Sequence, residues 1–500
     1  MKNVLGKLAE HKEFAILFCL SLGMRISQMG RSFRLHEYYA LDFAYRFNLA
    51  DYLVRHFGLD GAESNGMLFY VLLRSWLSLG ESVYLEHLLS LIFFAGSLPF
   101  LYFIGLRFGR KTAIFGTFFF SANSLALVYS QHCRFYSMNC FMALLTSYLW
   151  LKYAEGDPVR EEGIAGNARS SLGQTAGYSR ACSSSKKSWL KWLGIAVSSA
   201  GSVLTMIASV LTFPAHIVYC LQRKSGKVWL QMLSFVLGTA FLVWLLSYLD
   251  PSASQRLGPY SDTGTFADIF FQWLGVMPCW VACQFMPWDL AIIAMRFLLG
   301  ALALAGIWRC LRLGSPLHVW LLLICFVPPA VIWSYSHLVR NISSALNCYY
   351  ILPYMAILMG LGLAGRRRYA RLIILAIMLA ASPVLAINIA ETEGVSPQEE
   401  LENCASLLRS EDILVYSAIS REKDFFVPER AGIVLPQGMK LMRIDEWQEA
   451  RRSDIFVWIL SEGQFVETIS ADMRGSGYSL LTSRMFGRQH YCLMLWGEKY

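Results

Sequence analysis

Apolar runs near twenty residues recur along this chain, and a run of that length is what a helix needs to cross about 30 Å of hydrocarbon. Eleven are read at roughly 14–30, 84–106, 112–129, 138–153, 189–206, 207–222, 228–248, 288–308, 317–335, 349–364 and 371–390. Composition agrees: 55% of residues are hydrophobic, only 16% are charged, and mean hydropathy is +0.42. A soluble globular chain is excluded on these grounds, and a polytopic α-helical membrane protein is expected. The division of 189–222 into two spans is open. The first run has no small-residue cleavage site and is followed by further spans, so it reads as an anchor and not a removed signal.

Lys and Arg set the orientation. With the N-terminus cytoplasmic, the inner segments hold Lys2, Lys7 and Lys12, then Arg107, Arg110 and Lys111, a basic scatter from Lys152 to Lys191, and Arg366, Arg367, Arg368 and Arg371. They outnumber the basic residues of the outer loops by more than two to one. An odd number of spans then puts the C-terminal tail outside, periplasmic or extracellular in a bacterial inner membrane. The net charge of +9 is a topology signal, aided by anionic lipid headgroups, and gives no reason to expect nucleic acid. The twelve Cys residues show no paired metal spacing; Cys279 and Cys283 can bridge or simply pack.

Residues 1–390 form the transmembrane domain and 391–500 a small α/β domain of alternating helix and strand signals, the strand signals at Ile413–Tyr416, Ile455–Leu460, Tyr478–Thr482 and Tyr491–Trp496. The outer loop 31–83 is too long for a connector, and loops of that size are usually functional. Its run Met67–Leu79 contains Arg74 and is too short to span, so it reads as an interfacial or re-entrant helix. The inner loop 155–188, rich in Gly, Ser and Ala, reads as a flexible linker.

Two polar patches can carry chemistry. The first is Leu35-His36-Glu37-Tyr38-Tyr39-Ala40-Leu41, directly after the first span. Transfer to a hydroxyl needs a group that takes the acceptor's proton, and a carboxylate in an apolar surround suits that task. Glu37 is also readable as a solvated loop acid. The second patch is Tyr129-Ser130-Gln131-His132-Cys133-Arg134-Phe135-Tyr136, between two spans. Arg134 can grip a phosphate with paired hydrogen bonds, or can snorkel to lipid headgroups. Arg296 falls mid-span, where a cation is costly and functional by default unless a carboxylate neutralises it. His216, after Phe213-Pro214, reads as a core histidine at a helix kink.

Taken together these segments resemble the GT-C superfamily of membrane glycosyltransferases, in the branch of protein O-mannosyltransferases, aminoarabinose transferases and Rgt-type lipopolysaccharide transferases. The first patch resembles that family's Trp-x-Asp-Glu-Ala-x-Ser element, the second its Tyr-Ser-Gln-Glu-Ala-Arg-Met-Tyr, and Tyr349-Tyr350-Ile351-Leu352-Pro353 its late Arg-Tyr-Leu-x-Pro. The resemblance implies a GT-C fold and a polyprenyl-phosphate-linked sugar donor reached from the membrane. It further implies inverting transfer at the outer face to a glycan, lipid or protein acceptor. It implies a catalytic first-loop carboxylate, Glu37 with His36 beside it, and donor or substrate contacts from Arg134, Gln131, Tyr136, His132 and Tyr350. No metal ligands are assigned; a divalent metal is open, because His36, Glu37 and His132 can hold one only if their loops converge.

The chain departs from the family pattern at several places. His36 stands where the family has the Asp usually assigned as base, Asn65-Gly66-Met67 where His-Pro-Pro is usual, His132 in place of Glu, and Tyr349 in place of the late Arg. Two other classes of function therefore stay on the page: a non-catalytic GT-C-like scaffold of envelope polysaccharide assembly, and a lipid-linked glycan transporter. No internal repeat or matched pair of broken spans favours the transporter.

Overall fold

The computed structural model describes residues 11–26, 29, 37, 40, 41, 44, 66–80, 82–154, 181–223, 286–338, 345–377, 379, 413–416, 440–443, 456–462, 474, 478–486 and 491–498. The expected span 228–248, most of 371–390, the inner loop 155–188 apart from its last helical residues, and the pair Cys279 and Cys283 lie outside them. The chain divides into two units. One comprises Met1–Met29 and Phe47–Ala386, the other Gly30–Arg46 and Ile387–Tyr500.

The first unit is helical. Its helices are α1 (Lys12–Ile26), α2 (Met67–Leu77), α3 (Val83–Leu106), α4 (Arg110–Ser121), α5 (Ser124–Tyr129), α6 (Tyr136–Ala154), α7 (Ala181–Thr205), α8 (Phe213–Gln222), α9 (Met286–Leu313), α10 (Pro316–Leu338) and α11 (Leu352–Ala364). Among the described residues two segments, Tyr84–Leu106 and Pro316–Ser334, are long and apolar enough to cross a membrane. Ser82 caps α3 by accepting from the Leu85 N–H at 3.2 Å. Outside the spans, Glu13 at the start of α1 pairs with Arg110 at 2.7 Å, and that hydrogen bond holds the Glu13 carboxyl below its ordinary range.

Three expected spans are broken helices. The run 112–129 splits at Asn123, whose side-chain oxygen accepts from the Ala126 N–H at 3.0 Å and so starts α5 afresh. After Thr205 the backbone is extended at Met206, then passes through a 3-10 turn, Ile207–Thr212, into α8. A second 3-10 segment, Ala345–Ile351, leads into α11, which has Pro353 in its first turn. Proline there costs nothing, since its missing N–H would be unpaired anyway. By contrast, α2 is one short unbroken helix within the run Met67–Leu79. Phe69, Tyr70, Leu73 and Leu77 form a buried stripe while Leu72 and Arg74 are exposed, and eleven residues rise only about 16 Å.

The core of this unit is α11, nearly every residue of which is buried between α4 and α9. Glycines permit the approach. A Cβ on Gly360 would lie 2.7 Å from the Gly116 nitrogen, and one on Gly362 would meet the Leu302 carbonyl oxygen and, at 3.0 Å, the Gly306 nitrogen. Small residues at such crossings replace the hydrophobic drive that lipid removes.

A second internal feature is a line of hydrogen bonds through α10, α8, α6 and α11. Trp320 Nε1 donates to His216 Nδ1 at 2.8 Å, so that nitrogen is the acceptor and Nε2 carries the proton. Ser147 Oγ lies 3.3 Å from Nε2 and 2.6 Å from the Tyr354 hydroxyl, which donates to the Ala143 carbonyl at 2.9 Å. Every donor in the line finds an acceptor. His216 is a buried core residue in the first turn of α8, stacked on Trp320.

In the second unit five strands form one sheet: β1 (Ile413–Tyr416), β2 (Lys440–Arg443), β3 (Phe456–Glu462), β4 (Tyr478–Phe486) and β5 (Tyr491–Glu498). Their order is β2-β1-β3-β5-β4. β1 runs parallel to both β2 and β3, whereas β5 is antiparallel to β3 and β4. β4 is irregular between Leu480 and Thr482, where Leu481 is the extra residue.

Candidate functional site

The turn between α5 and α6 is buried. Ser130, Gln131, His132, Cys133 and Arg134 all lie within the protein, Arg134 with only 6% of its surface exposed. The turn is tied down along its length. The Ser130 N–H bonds back to Ala126, the Arg134 N–H to the His132 carbonyl at 2.7 Å, and the Ser90 hydroxyl of α3 donates to the Arg134 carbonyl at 3.2 Å. The Arg134 guanidinium stands 3.5 Å from the Tyr70 hydroxyl and within 6 Å of the Phe135 and Tyr136 rings.

Around it stands a cage of aromatic rings. Tyr129 packs against His132 at 4.9 Å, Tyr136 at 4.8 Å and Tyr349 at 5.6 Å, and Tyr136 meets Tyr349 at 5.5 Å. Arg134, Gln131, Tyr136 and His132 are thus brought into one neighbourhood, with Tyr349 added from the segment before α11. Tyr350, next in sequence, turns elsewhere: its hydroxyl donates to the Ala208 carbonyl at 2.6 Å and ties two 3-10 segments together. Gln131 Nε2 is buried without a hydrogen-bond partner among the described residues, as is Asn139 Oδ1. A buried amide left so costs about 1–3 kcal/mol, and such a group calls for an explanation, a ligand being one.

At the floor of the turn, Gly66 makes the left-handed cap of α2, with φ of 93°, and its N–H donates to the Thr205 carbonyl at 2.8 Å. A Cβ there would sit 2.6 Å from Phe135 Cδ1 and 2.9 Å from Tyr70 Cε2. The glycine therefore fixes both the cap and the closeness of α2 to the turn. Gly66→Ala is expected to destabilise the protein by about 2 kcal/mol or more, from left-handed strain and overpacking combined. Adding Phe135→Leu should recover the packing share. Equal melting temperatures for wild type and Gly66→Ala would refute this role.

Glu37 belongs to the other unit. It is fully buried and helical, as are Ala40, Leu41 and Ala44, which are buried as well. The spacing 37, 40, 41, 44 is one face of a helix, so the carboxylate shares a buried face with apolar neighbours. His36 lies outside the described residues, and so does the side chain of Arg296. Among the described residues no three His, Cys, Asp or Glu side chains stand close enough to hold a metal ion.

Arg25 is a participant that reading the sequence missed. It lies in the last turn of α1, is fully buried, and donates to Ser130 at 2.7 Å. The available signal was a single cation inside an apolar run, a position where charge is costly.

No protein-family model matches the sequence, and no curated protein matches it. Among solved structures the chain is similar to ArnT from Cupriavidus metallidurans bound to undecaprenyl phosphate, with a TM-score of 0.54 at 12% identity, covering 96% of this chain and 97% of that one. The apo state of the same protein gives a TM-score of 0.54 at 10% identity, covering 97% and 98%. The apo oligosaccharyltransferase of Archaeoglobus fulgidus gives 0.49 at 11% identity, covering 92% of this chain and 70% of that one. The chain has the GT-C fold.

Proposed function

We propose, from the GT-C fold that the chain adopts, that it is a glycosyltransferase using a polyprenyl-phosphate-linked sugar. The observation that carries the reading is the buried turn Ser130–Arg134. It joins a guanidinium, an amide with unused donors and a cage of tyrosines inside a membrane protein. A lipid phosphate demands that chemistry: cationic donors in a water-poor site are worth far more than in water. The likeness to ArnT, a structure holding undecaprenyl phosphate, supports a donor of the same class.

In this reading the acceptor hydroxyl attacks the anomeric carbon of the donor sugar. A new carbon–oxygen bond forms as the bond from that carbon to the phosphate oxygen breaks, with inversion. Glu37 takes the hydroxyl proton. Arg134 faces the negative charge that gathers on the departing polyprenyl phosphate, and Gln131, His132 and Tyr136 line the sugar and phosphate. Tyr350 contributes by fixing the segment that carries Tyr349. No step is routed through a metal. The reading keeps eleven spans, a cytoplasmic N-terminus and an outer C-terminal α/β unit, with the acceptor a glycan, lipid or protein. Tyr349, packed on Tyr129 and Tyr136 where the resembled family has an Arg, favours the runner-up, a GT-C scaffold without catalysis.

The direct test is native mass spectrometry of the full chain purified from membranes, with undecaprenyl phosphate added as probe. One bound lipid phosphate per chain is expected, weakened about tenfold or more in Arg134→Ala, since a hydrogen bond to a charged group contributes about 1.5–3 kcal/mol. An Arg134→Ala protein that binds the probe as wild type does would return that residue to lipid anchoring.

A further inference from the structure

The turn that carries the proposed donor contacts is held from below by a cation on a different span. The three guanidinium nitrogens of Arg25 each reach a different place. Nε donates to the Ser130 hydroxyl at 2.7 Å, Nη1 to the carbonyl and hydroxyl of Ser21 at 3.0 Å, and Nη2 to the Ser121 carbonyl at 3.0 Å. Its Cζ lies 3.8 Å over the Phe94 ring of α3. Ser121 is the last residue of α4, so its carbonyl has no partner within the helix, and a cation at that end also meets the negative pole of the helix dipole. Ser130 opens the turn. One planar fork thus bridges the break at Ala122–Asn123 and pins the entry to the turn. A lysine ammonium, with all its donors on one nitrogen, cannot reach all three places. Every oxygen in these contacts is neutral, so the arrangement places a guanidinium rather than neutralising an acid.

We infer that Arg25 is the positioning residue of the 130–134 turn, setting where Gln131 and Arg134 stand. Its effect on donor binding rests on the function proposed above; its effect on the turn does not. Cys133 provides an independent reporter, because it is buried in the turn itself, while Cys140, Cys220, Cys310, Cys325 and Cys348 are buried elsewhere among the described residues. The test uses the purified full chain, maleimide labelling read by peptide mass spectrometry, and undecaprenyl phosphate as probe.

In Arg25→Lys, Cys133 is expected to label about tenfold faster, with those other five thiols as protected as in wild type, and the probe's Kd to rise about tenfold. Ser130→Ala should move both readouts in the same direction by about threefold. The double variant should be no worse than Arg25→Lys alone, since both changes remove one link. Release of all six thiols in Arg25→Lys would mean global unfolding, in which case Ser130→Ala decides. Cys133 remaining protected in a folded variant, or the two effects adding in full, overturns the inference. A wild-type chain that ignores the probe would sink the donor-site reading and leave the labelling result to judge Arg25.

Discussion

Replacing Glu37 with Gln is expected to lower sugar transfer by about 10²–10⁴-fold, the usual contribution of a positioned general base. The side chain is fully buried, on a helix face with Ala40, Leu41 and Ala44. The amide keeps the volume and most hydrogen-bond geometry but cannot accept a proton. Folding, expression and probe binding should therefore persist while turnover disappears. The measurement is single-turnover transfer from a lipid-linked donor, beside size-exclusion profiles of both proteins. Activity within tenfold of wild type would move the proton elsewhere, with His36 as the next group to change. Loss of the folded peak would instead make Glu37 structural and favour the scaffold.

Much of the fold was legible because periodicity and length are local properties. The short apolar run Met67–Leu79, most of which forms α2, could be read directly, as could four of the five described strands, whose signals begin within one residue of the observed starts. β2, Lys440–Arg443, was missed; four residues bounded by charges carry too little alternation to stand out. Hydropathy also hid the breaks. It averages over Asn123, although a single side-chain oxygen there is enough to restart a helix, and over Ile351, where a 3-10 segment passes into α11.

The candidate site divides in the same way. Gln131, His132, Arg134 and Tyr136 fall within six residues, so their association needed only one segment to be noticed. Arg25 finds Ser121 and Ser130 about a hundred positions away, and nothing adjacent to it in sequence announces those partners. Tyr350 shows the converse. A motif position suggested a ligand contact, whereas tertiary packing gave its hydroxyl to a backbone carbonyl. Glu37 lies in one unit and Arg134 in the other, so their pairing at one reaction centre belongs to the proposed mechanism.

A larger loss of stability is expected at Gly362, where a single β-branched side chain would separate two helices. The Cβ of Gly362→Val would meet the Leu302 carbonyl oxygen and approach the Gly306 nitrogen at 3.0 Å; a Cβ on Gly306 would in turn meet the Leu358 carbonyl. These are backbone atoms in helices, so no rotamer change relieves the contact. α9 must move away from α11, losing the packing that holds α11 against α4 as well. Overpacking ordinarily costs about 1–3 kcal/mol, and a backbone collision belongs at or above the upper end. The consequence extends to the site, because α11 begins just after Tyr349 and so fixes that ring against Tyr129 and Tyr136. Gly23 in α1 provides the control, since a Cβ there meets nothing within 4 Å. Gly23→Ala should be neutral or should stabilise by about 0.5–1 kcal/mol, as alanine does in an open helical position. Thermal unfolding of the two variants in the same detergent settles the matter: if Gly362→Val melts with Gly23→Ala, close helix approach is not what holds this core together.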